Sequence, residues 1–361
     1  MIVLGIETSC DETAVAVIKK EAGKLSVLAN IVSSQISLHA PFGGVVPNLA
    51  AREHLKNIIP VLKSALKESQ IEPKDIDLIS VTQGPGLIPA LLIGTNFAKT
   101  IAYAWHKPLL GIHHIEGHIY ANFINNPQIK FPALALVVSG GHTQLILVKD
   151  HFQYDLIGET QDDAVGEAFD KVARILGLSY PGGPLISQLA DEYMAQNPNV
   201  IGGDLLPRPM LNSGNFNFSF SGLKTAALYI VRDFRKEYSL APEDKLPHDF
   251  IQKMAYEFQE AATDVLISKT IKAGIQYNVK TIFLAGGVSA NQSLRDKLGS
   301  AVKKNIPQVS YALQPLDYST DNATMIAVAG AYRFKKMTPE EKLNSLENWK
   351  NLQPSAQLVL K

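Results

Sequence analysis

His114 and His118 stand four residues apart in "HHIEGH" (113–118), with Glu116 between them. On a helix that spacing puts two side chains on one face, with Cβ atoms about 6 Å apart, so both imidazoles can reach one ion. A zinc-protease helix needs its glutamate directly after the first histidine. Ile115 holds that place here, and Glu116 falls elsewhere on the helix. The ligand spacing of such a site is present; its general base is not. Spacing alone also fits a pair of histidines on a helix surface or lobe interface, a reading that suits His113 best. A third ligand is on offer at Asp321, in "YSTDNATMIAVAG" (318–330). An aspartate at a helix start serves equally as an N-cap.

Two glycine turns carry the other chemistry. "VVSGGHT" (137–143) and "AGGVSANQ" (285–292) each follow an apolar strand. Such turns expose backbone N–H groups to an anion without side-chain obstruction. The second also feeds a helix start, where the dipole favours phosphate. Neither matches the P-loop or the G-x-G-x-x-G pattern. Singly, each reads as an ordinary turn; as a pair on similar lobes, they suggest a nucleotide held in a cleft between lobes.

The elements that must position these residues repeat. "IVLGIE" (2–7) and "AVAVIKK" (14–20) flank the polar turn "TSCDET" as a hairpin, continued by "LSVLANIVSS". Apolar residues at helical spacing run over 49–68, followed by the strand "IDLISV" and the apolar helix "LLIGTNFAKTIAYAW". A second hairpin occupies 133–148, a third strand lies near "YDLIGE", and helices are expected near 164–177 and 182–195. A pattern of three strands then helices therefore occurs twice. Residues 196–222 are rich in Gly, Pro, Asn and Ser and read as a long loop or insertion. A long helix is expected over 246–275 and a last one from Asn322 to about Lys336; the tail from 337 reads as polar and uninformative. The expected lobes are 1–130 with about 305–361, and 131–304 carrying the insertion.

The totals bound the class. At 361 residues and 46% hydrophobic, the chain can fill the cores of two lobes. Lys and Arg balance Asp and Glu at 34 each, so bulk charge directs it to neither nucleic acid nor membrane. "RDFRK" (232–236) and Lys335–Lys336 remain as local basic spots. Cys10 is the only cysteine, which excludes an internal disulfide and fits a reducing compartment. No stretch approaches the ~20 apolar residues of a membrane span. A cytoplasmic enzyme is expected.

Ten stretches occur together and in order: "GIETSCDET", "FGGVVPNLAAREH", "TQGPGL", "HHIEGH", "VVSGGHTQL", "GEAFDKVARILGL", "YPGGP", "FSFSGLKTA", "AGGVSAN" and "STDNATMIA". Over nearly all of residues 1–335 the chain closely resembles the universal tRNA threonylcarbamoyladenosine transferases, in their bacterial TsaD form. The resemblance implies an α/β fold of duplicated, two-lobe actin-like and sugar-kinase-like (ASKHA) type. It implies transfer of threonylcarbamoyl from threonylcarbamoyl-AMP to the N6 amine of adenosine at tRNA position 37, in tRNAs reading ANN codons, with AMP released. It implies one divalent metal ion on His114, His118 and Asp321, iron as Fe(2+) or else Zn(2+). Adenylate binding is implied for Val137, Val138, Ser139, Gly140, Gly141, Asp170, Gly183 and Asn291. The implied partners are tRNA, a TsaB-type paralogue of the same fold and a small TsaE-type P-loop ATPase, with no membrane role.

Asp11 and Glu12 sit in the turn where related folds place phosphate-handling groups. They are candidates to orient the attacking amine or take its proton, against a plain turn-forming role; Glu7 reads as a strand-end carboxylate. A metalloprotease, a nucleotide-driven switch and a sugar kinase are the rival classes. The first lacks its base, the second leaves the histidines and Asp321 unexplained, and the third has no compelling aspartate.

Overall fold

The structure is a computed structural model that describes residues 1–126, 128–200 and 202–360. The chain divides into two compact units, Met1–Ile129 with Leu313–Lys361, and Lys130–Ala312.

The first unit is built on a five-stranded sheet. Strands β1 (Ile2–Glu7), β2 (Glu12–Glu21) and β3 (Lys24–Ser34) form an antiparallel meander; β4 (Leu78–Gly84) and β5 (Leu109–His113) add in parallel beside β1, giving the order β3-β2-β1-β4-β5. A helical turn α1 (Ile36–His39) precedes α2 (Pro47–Ser69) and α3 (Ile88–Trp105); the short α4 (His114–Ala121) follows β5 directly.

The second unit repeats the plan. Strands β6 (Ala133–Val138), β7 (Thr143–Asp150) and β8 (Gln153–Glu159) form the meander, and β9 (Thr281–Ala285) and β10 (Ser310–Ala312) extend it in parallel. Its order, β8-β7-β6-β9-β10, is that of the first sheet strand for strand. The helices are α5 (Val165–Ile175), α6 (Gly182–Gln196), α7 (Ser221–Glu237), α8 (His248–Gln276) and α9 (Gln292–Asn305). The chain then returns to the first unit as α10 (Ala323–Lys336), α11 (Pro339–Asn344) and α12 (Asn348–Asn351).

β1 is apolar on both faces because both are covered, as expected of a central strand with parallel neighbours. Ile58, Val61, Leu62 and Ala65 of α2 and Ala98, Ile101 and Ala102 of α3 join Leu4, Ile6, Val15 and Val17 in one core. On the other face α10 lies so close to β1 that a Cβ on Gly5 would stand 2.2 Å from the Ala323 carbonyl oxygen. This approach fixes the start of α10, and Asp321 with it, against the strand that ends in Glu7.

The expected insertion at 196–222 is irregular but pinned; Ile201 lies outside the described residues. Lys269 donates to Ser213 Oγ at 2.9 Å and Arg208 pairs with Asp264. Phe218 N donates to the Glu159 carbonyl at 2.9 Å, so the segment is bonded to the end of edge strand β8. No helix among the described residues is long and apolar enough to cross a membrane.

Candidate metal centre and glycine turns

α4 begins where β5 ends, so His113 is its N-cap and His114 its first residue. His113 Nδ1 accepts from Ile115 N at 3.2 Å, which meets one of the orphan N–H groups of the first turn. His114 and His118 then lie one helical turn apart, ring centroids 4.7 Å from each other and nearly perpendicular.

Both imidazoles present Nε2 to the same oxygen. Asp321 Oδ1 lies 3.1 Å from His118 Nε2 and 3.5 Å from His114 Nε2. Two ligand atoms each 2.0–2.1 Å from one ion stand about 3.0–3.4 Å apart, so this separation suits a shared cation. The one donor atom from each of the three residues falls within a 4.8 Å span. His118 is fully buried, and neither of its ring nitrogens has a hydrogen-bond partner. Its Nε2 has the distance for a bond to Asp321 and lacks the direction. A buried nitrogen left in that state is costly unless something else takes its lone pair. The three residues can therefore bind a metal ion.

Glu7 is the support that the sequence reading placed only at a strand end. Wholly buried, it accepts from Ser9 N and Thr82 Oγ1 at 2.5 Å each and faces His114 Nδ1 at 3.3 Å. A carboxylate only accepts, so Nδ1 keeps its proton towards Glu7, and Nε2 is the nitrogen left to give up its own to a cation. This is the outer-shell carboxylate–histidine arrangement of metal sites. Burial disfavours a charged His114, but Asp321 and Glu7 outweigh it and push its value up to about 9. Burial lowers that of His118.

The capping role open to Asp321 is filled by its neighbour. Asn322 is the N-cap of α10 and accepts from Met325 N at 3.0 Å, so Asp321 stands ahead of the helix, towards the histidines. Glu116 pairs with Arg333, its oxygens 2.8 and 2.6 Å from one guanidinium nitrogen. It is buried in that ion pair and is no base for the histidines' ion.

Asp11 and Glu12 close the first hairpin in the same unit. Burial raises the Glu12 carboxyl well above the usual range, and Asp321 and then Asp11 raise it further. Asp321 and Glu7 thus face the imidazoles and, with Asp11, also bear on Glu12, an arrangement of carboxyl groups that a dication relieves.

In the second unit the β6–β7 turn is closed by Ser139 N on the His142 carbonyl at 2.8 Å and His142 N on Ser139 Oγ at 3.1 Å. Gly140 and Gly141 are exposed, and a Cβ on either would meet no protein atom within 4 Å. Neither has a positive φ. Nothing in the chain's own packing or backbone therefore demands glycine at these two positions, whereas a ligand approaching the main chain would. Val137 and Val138 are wholly buried and back the turn rather than line it. Gly286, at φ +86°, lets the β9 turn approach within 2.5 Å of the Val138 oxygen, measured from where its Cβ would be.

Asp170 accepts from Gly182 N at 2.7 Å and also bonds Gly183 N, which ties α5 to the start of α6. Burial raises its carboxyl, and these bonds partly offset that. The Asn291 side chain is committed to the protein. It caps α9 through Leu294 N and donates to Ser187 Oγ and Gln259 Oε1, both at 2.7 Å. Gln259 and Ser187 carried no local pattern that sequence reading could use.

Of the basic spots, Arg232 is paired with Asp233, and Arg235 donates to the Ala241 carbonyl at 2.6 Å. Lys335 and Lys336 are exposed at the end of α10.

A family model described as tRNA N6-adenosine threonylcarbamoyltransferase, TsaD, matches residues 26–328. The chain belongs to this TsaD family. The enzyme of that name from Thermosipho africanus is 49% identical over 351 residues, covering 97% of this chain and 100% of the relative. The one from Persephonella marina is 51% identical over 343 residues, covering 93% and 91%. As a TsaD-family member the chain is an acyltransferase of tRNA modification. The activator of 2-hydroxyisocaproyl-CoA dehydratase from Clostridium difficile, solved with ADPNP, shares the fold. It is 13% identical with a TM-score of 0.51, covering 94% of this chain and 98% of that one. The duplicated sheets are accordingly of the actin-like ASKHA type.

Proposed function

We propose that the chain transfers threonylcarbamoyl from threonylcarbamoyl-AMP to the N6 amine of adenosine 37 in tRNAs that read ANN codons, releasing AMP. The observation that carries this reading is the convergence of His114, His118 and Asp321, backed by Glu7, beside the acidic pair Asp11 and Glu12. The adenine amine is a poor nucleophile because its lone pair is conjugated into the ring. The acyl donor must be activated, and a mixed anhydride with AMP is.

His114, His118 and Asp321 would hold one divalent ion, Fe(2+) first and Zn(2+) as the alternative, since imidazole with carboxylate suits either better than Mg(2+). When bound, that ion supplies Lewis-acid polarisation and neutralises charge on the departing phosphate. The main-chain N–H groups of Gly140 and Gly141 receive the adenylate; Ser139 closes the turn, Asp170, Gly183 and Asn291, the last held by Ser187 and Gln259, shape its seat, and Val137 and Val138 hold the strand behind it. Glu12 takes the N6 proton as the amine bonds to the carbonyl carbon and the bond to the AMP oxygen breaks. Asp11 orients the amine. Burial and the neighbouring carboxylates raise the Glu12 carboxyl, which strengthens it as a proton acceptor once ionised.

tRNA contacts its phosphates through Lys335 and Lys336, so its affinity falls as salt rises. Leu55 and Ile59, exposed one turn apart on α2, support a seat for the TsaB-type paralogue. The TsaE-type ATPase completes the set, because this chain has no P-loop of its own.

The test is reconstitution of the chain with these partners, preformed threonylcarbamoyl-AMP and unmodified tRNA, scored by nucleoside mass. A threonylcarbamoyl mass gain on adenosine is expected; none, with AMP release unchanged by tRNA, overturns the reading. In the same assay Glu12→Gln should lower kcat by about 100-fold and leave donor affinity within twofold.

A further inference from the structure

The segment from Asn348 to Leu358, polar and uninformative as sequence, is bonded along the ends of β4 and β5. Trp349 lies tilted against Tyr103, ring centroids 4.7 Å apart, and, with Leu352, packs on the first unit's core. Asn348 Nδ2 donates to the Leu109 carbonyl at 2.8 Å. Gln83 grips the segment twice: its side chain donates to the Gln353 carbonyl at 2.8 Å, and its carbonyl accepts from Ser355 N at 2.9 Å. His113 Nε2 then donates to the Leu358 carbonyl at 2.9 Å.

Two glycines make room for it. A Cβ on Gly84 would stand 1.9 Å from the Ser355 oxygen, and one on Gly111 would stand 2.7 Å from Leu352 Cδ1. Sheet edges are commonly covered, and β5 is an edge strand, so edge protection is the plain reading. It does not account for His113. One ring nitrogen of His113 caps α4, and the other holds the strap. The residue after it is the ligand His114.

We propose that residues 353–358 form a strap that positions the metal ligands, with His113 as the positioning residue linking Leu358 to the first turn of α4. The strap sets the rotation and depth of α4, and so where His114 and His118 present Nε2. This rests on the metal reading above.

The test uses the full-length chain and Co(II) alone. His113→Asn keeps an N-cap acceptor but is too short to reach Leu358. Ser355→Pro removes the N–H that Gln83 holds and alters no ligand. Each should weaken Co(II) binding by at least about tenfold, as outer-shell losses do. Each should also alter the Co(II) visible spectrum, speed amide exchange in α4 of the metal-free protein, and leave AMP affinity within twofold. Wild-type affinity and spectrum in both variants overturn the strap alone; if Ser355→Pro does not fold, His113→Asn decides. Parallel loss of AMP affinity also overturns it, as general destabilisation. A wild-type chain that binds no Co(II) overturns the metal reading itself, and the strap's role with it.

Discussion

The first unit prepares its site with side chains, the second by leaving them out. Around His114 three second groups set the geometry. Glu7 fixes one ring nitrogen, His113 caps the helix, and Asn322 takes the capping duty that would otherwise occupy Asp321. At Gly140 and Gly141 the chain presents bare backbone over open space. A cation needs few ligands at fixed separations, so rigidity is an asset. An adenylate needs close approach to N–H groups, so any side chain obstructs it. On the proposed function, two copies of one sheet plan serve two different binding problems.

Substitutions should separate the two solutions. Asp321→Ala should have the largest effect: metal binding lost and transfer reduced by at least about 10³-fold, with AMP affinity within twofold by calorimetry. An equal loss of AMP affinity would break the division. Gly140→Val should do the converse. AMP affinity falls by about 100-fold, while Co(II) binding and the urea midpoint are unchanged, since a Cβ at this exposed position meets no protein atom within 4 Å. A stability loss there would mean that glycine serves the fold. Glu7→Gln sharpens the comparison within the first unit. Co(II) affinity should fall by about 10–100-fold without abolition, because the ligands remain and only their orientation weakens.

The smallest effect is that of pH on the metal-free protein. His114 is raised to about 9, so its contribution to stability is complete below the unfolded value of 6.5. That contribution is lost as pH rises through 9. The thermal midpoint of demetallated protein should therefore decline between those values. His114→Gln should remove the slope, and Gly140→Val should leave it.

Local pattern made much of this legible. The expected strand at 2–7 is β1, the helix expected over 49–68 is α2, and the last helix begins at Ala323 against an expected start at Asn322. Each rests on periodicity within a few turns. The His-x-x-x-His spacing survives for the same reason, because helix geometry carries it. Glu7 was not legible as the partner of His114, 107 residues away, since only the fold joins β1 to α4. The strap was missed likewise. Its bonds run through backbone carbonyls, which every residue has, and its fit depends on Cβ atoms that Gly84 and Gly111 lack. The choice between Asn322 and Asp321 as cap turned on a single register step, which is finer than propensity resolves.

Anomalous diffraction from crystals grown with Fe(2+) or Co(2+) tests the central claim most directly. One peak per chain is expected, about 2.0–2.2 Å from His114 Nε2, His118 Nε2 and an Asp321 oxygen. A peak elsewhere with these three side chains apart, or none from protein active in transfer, would contradict the account.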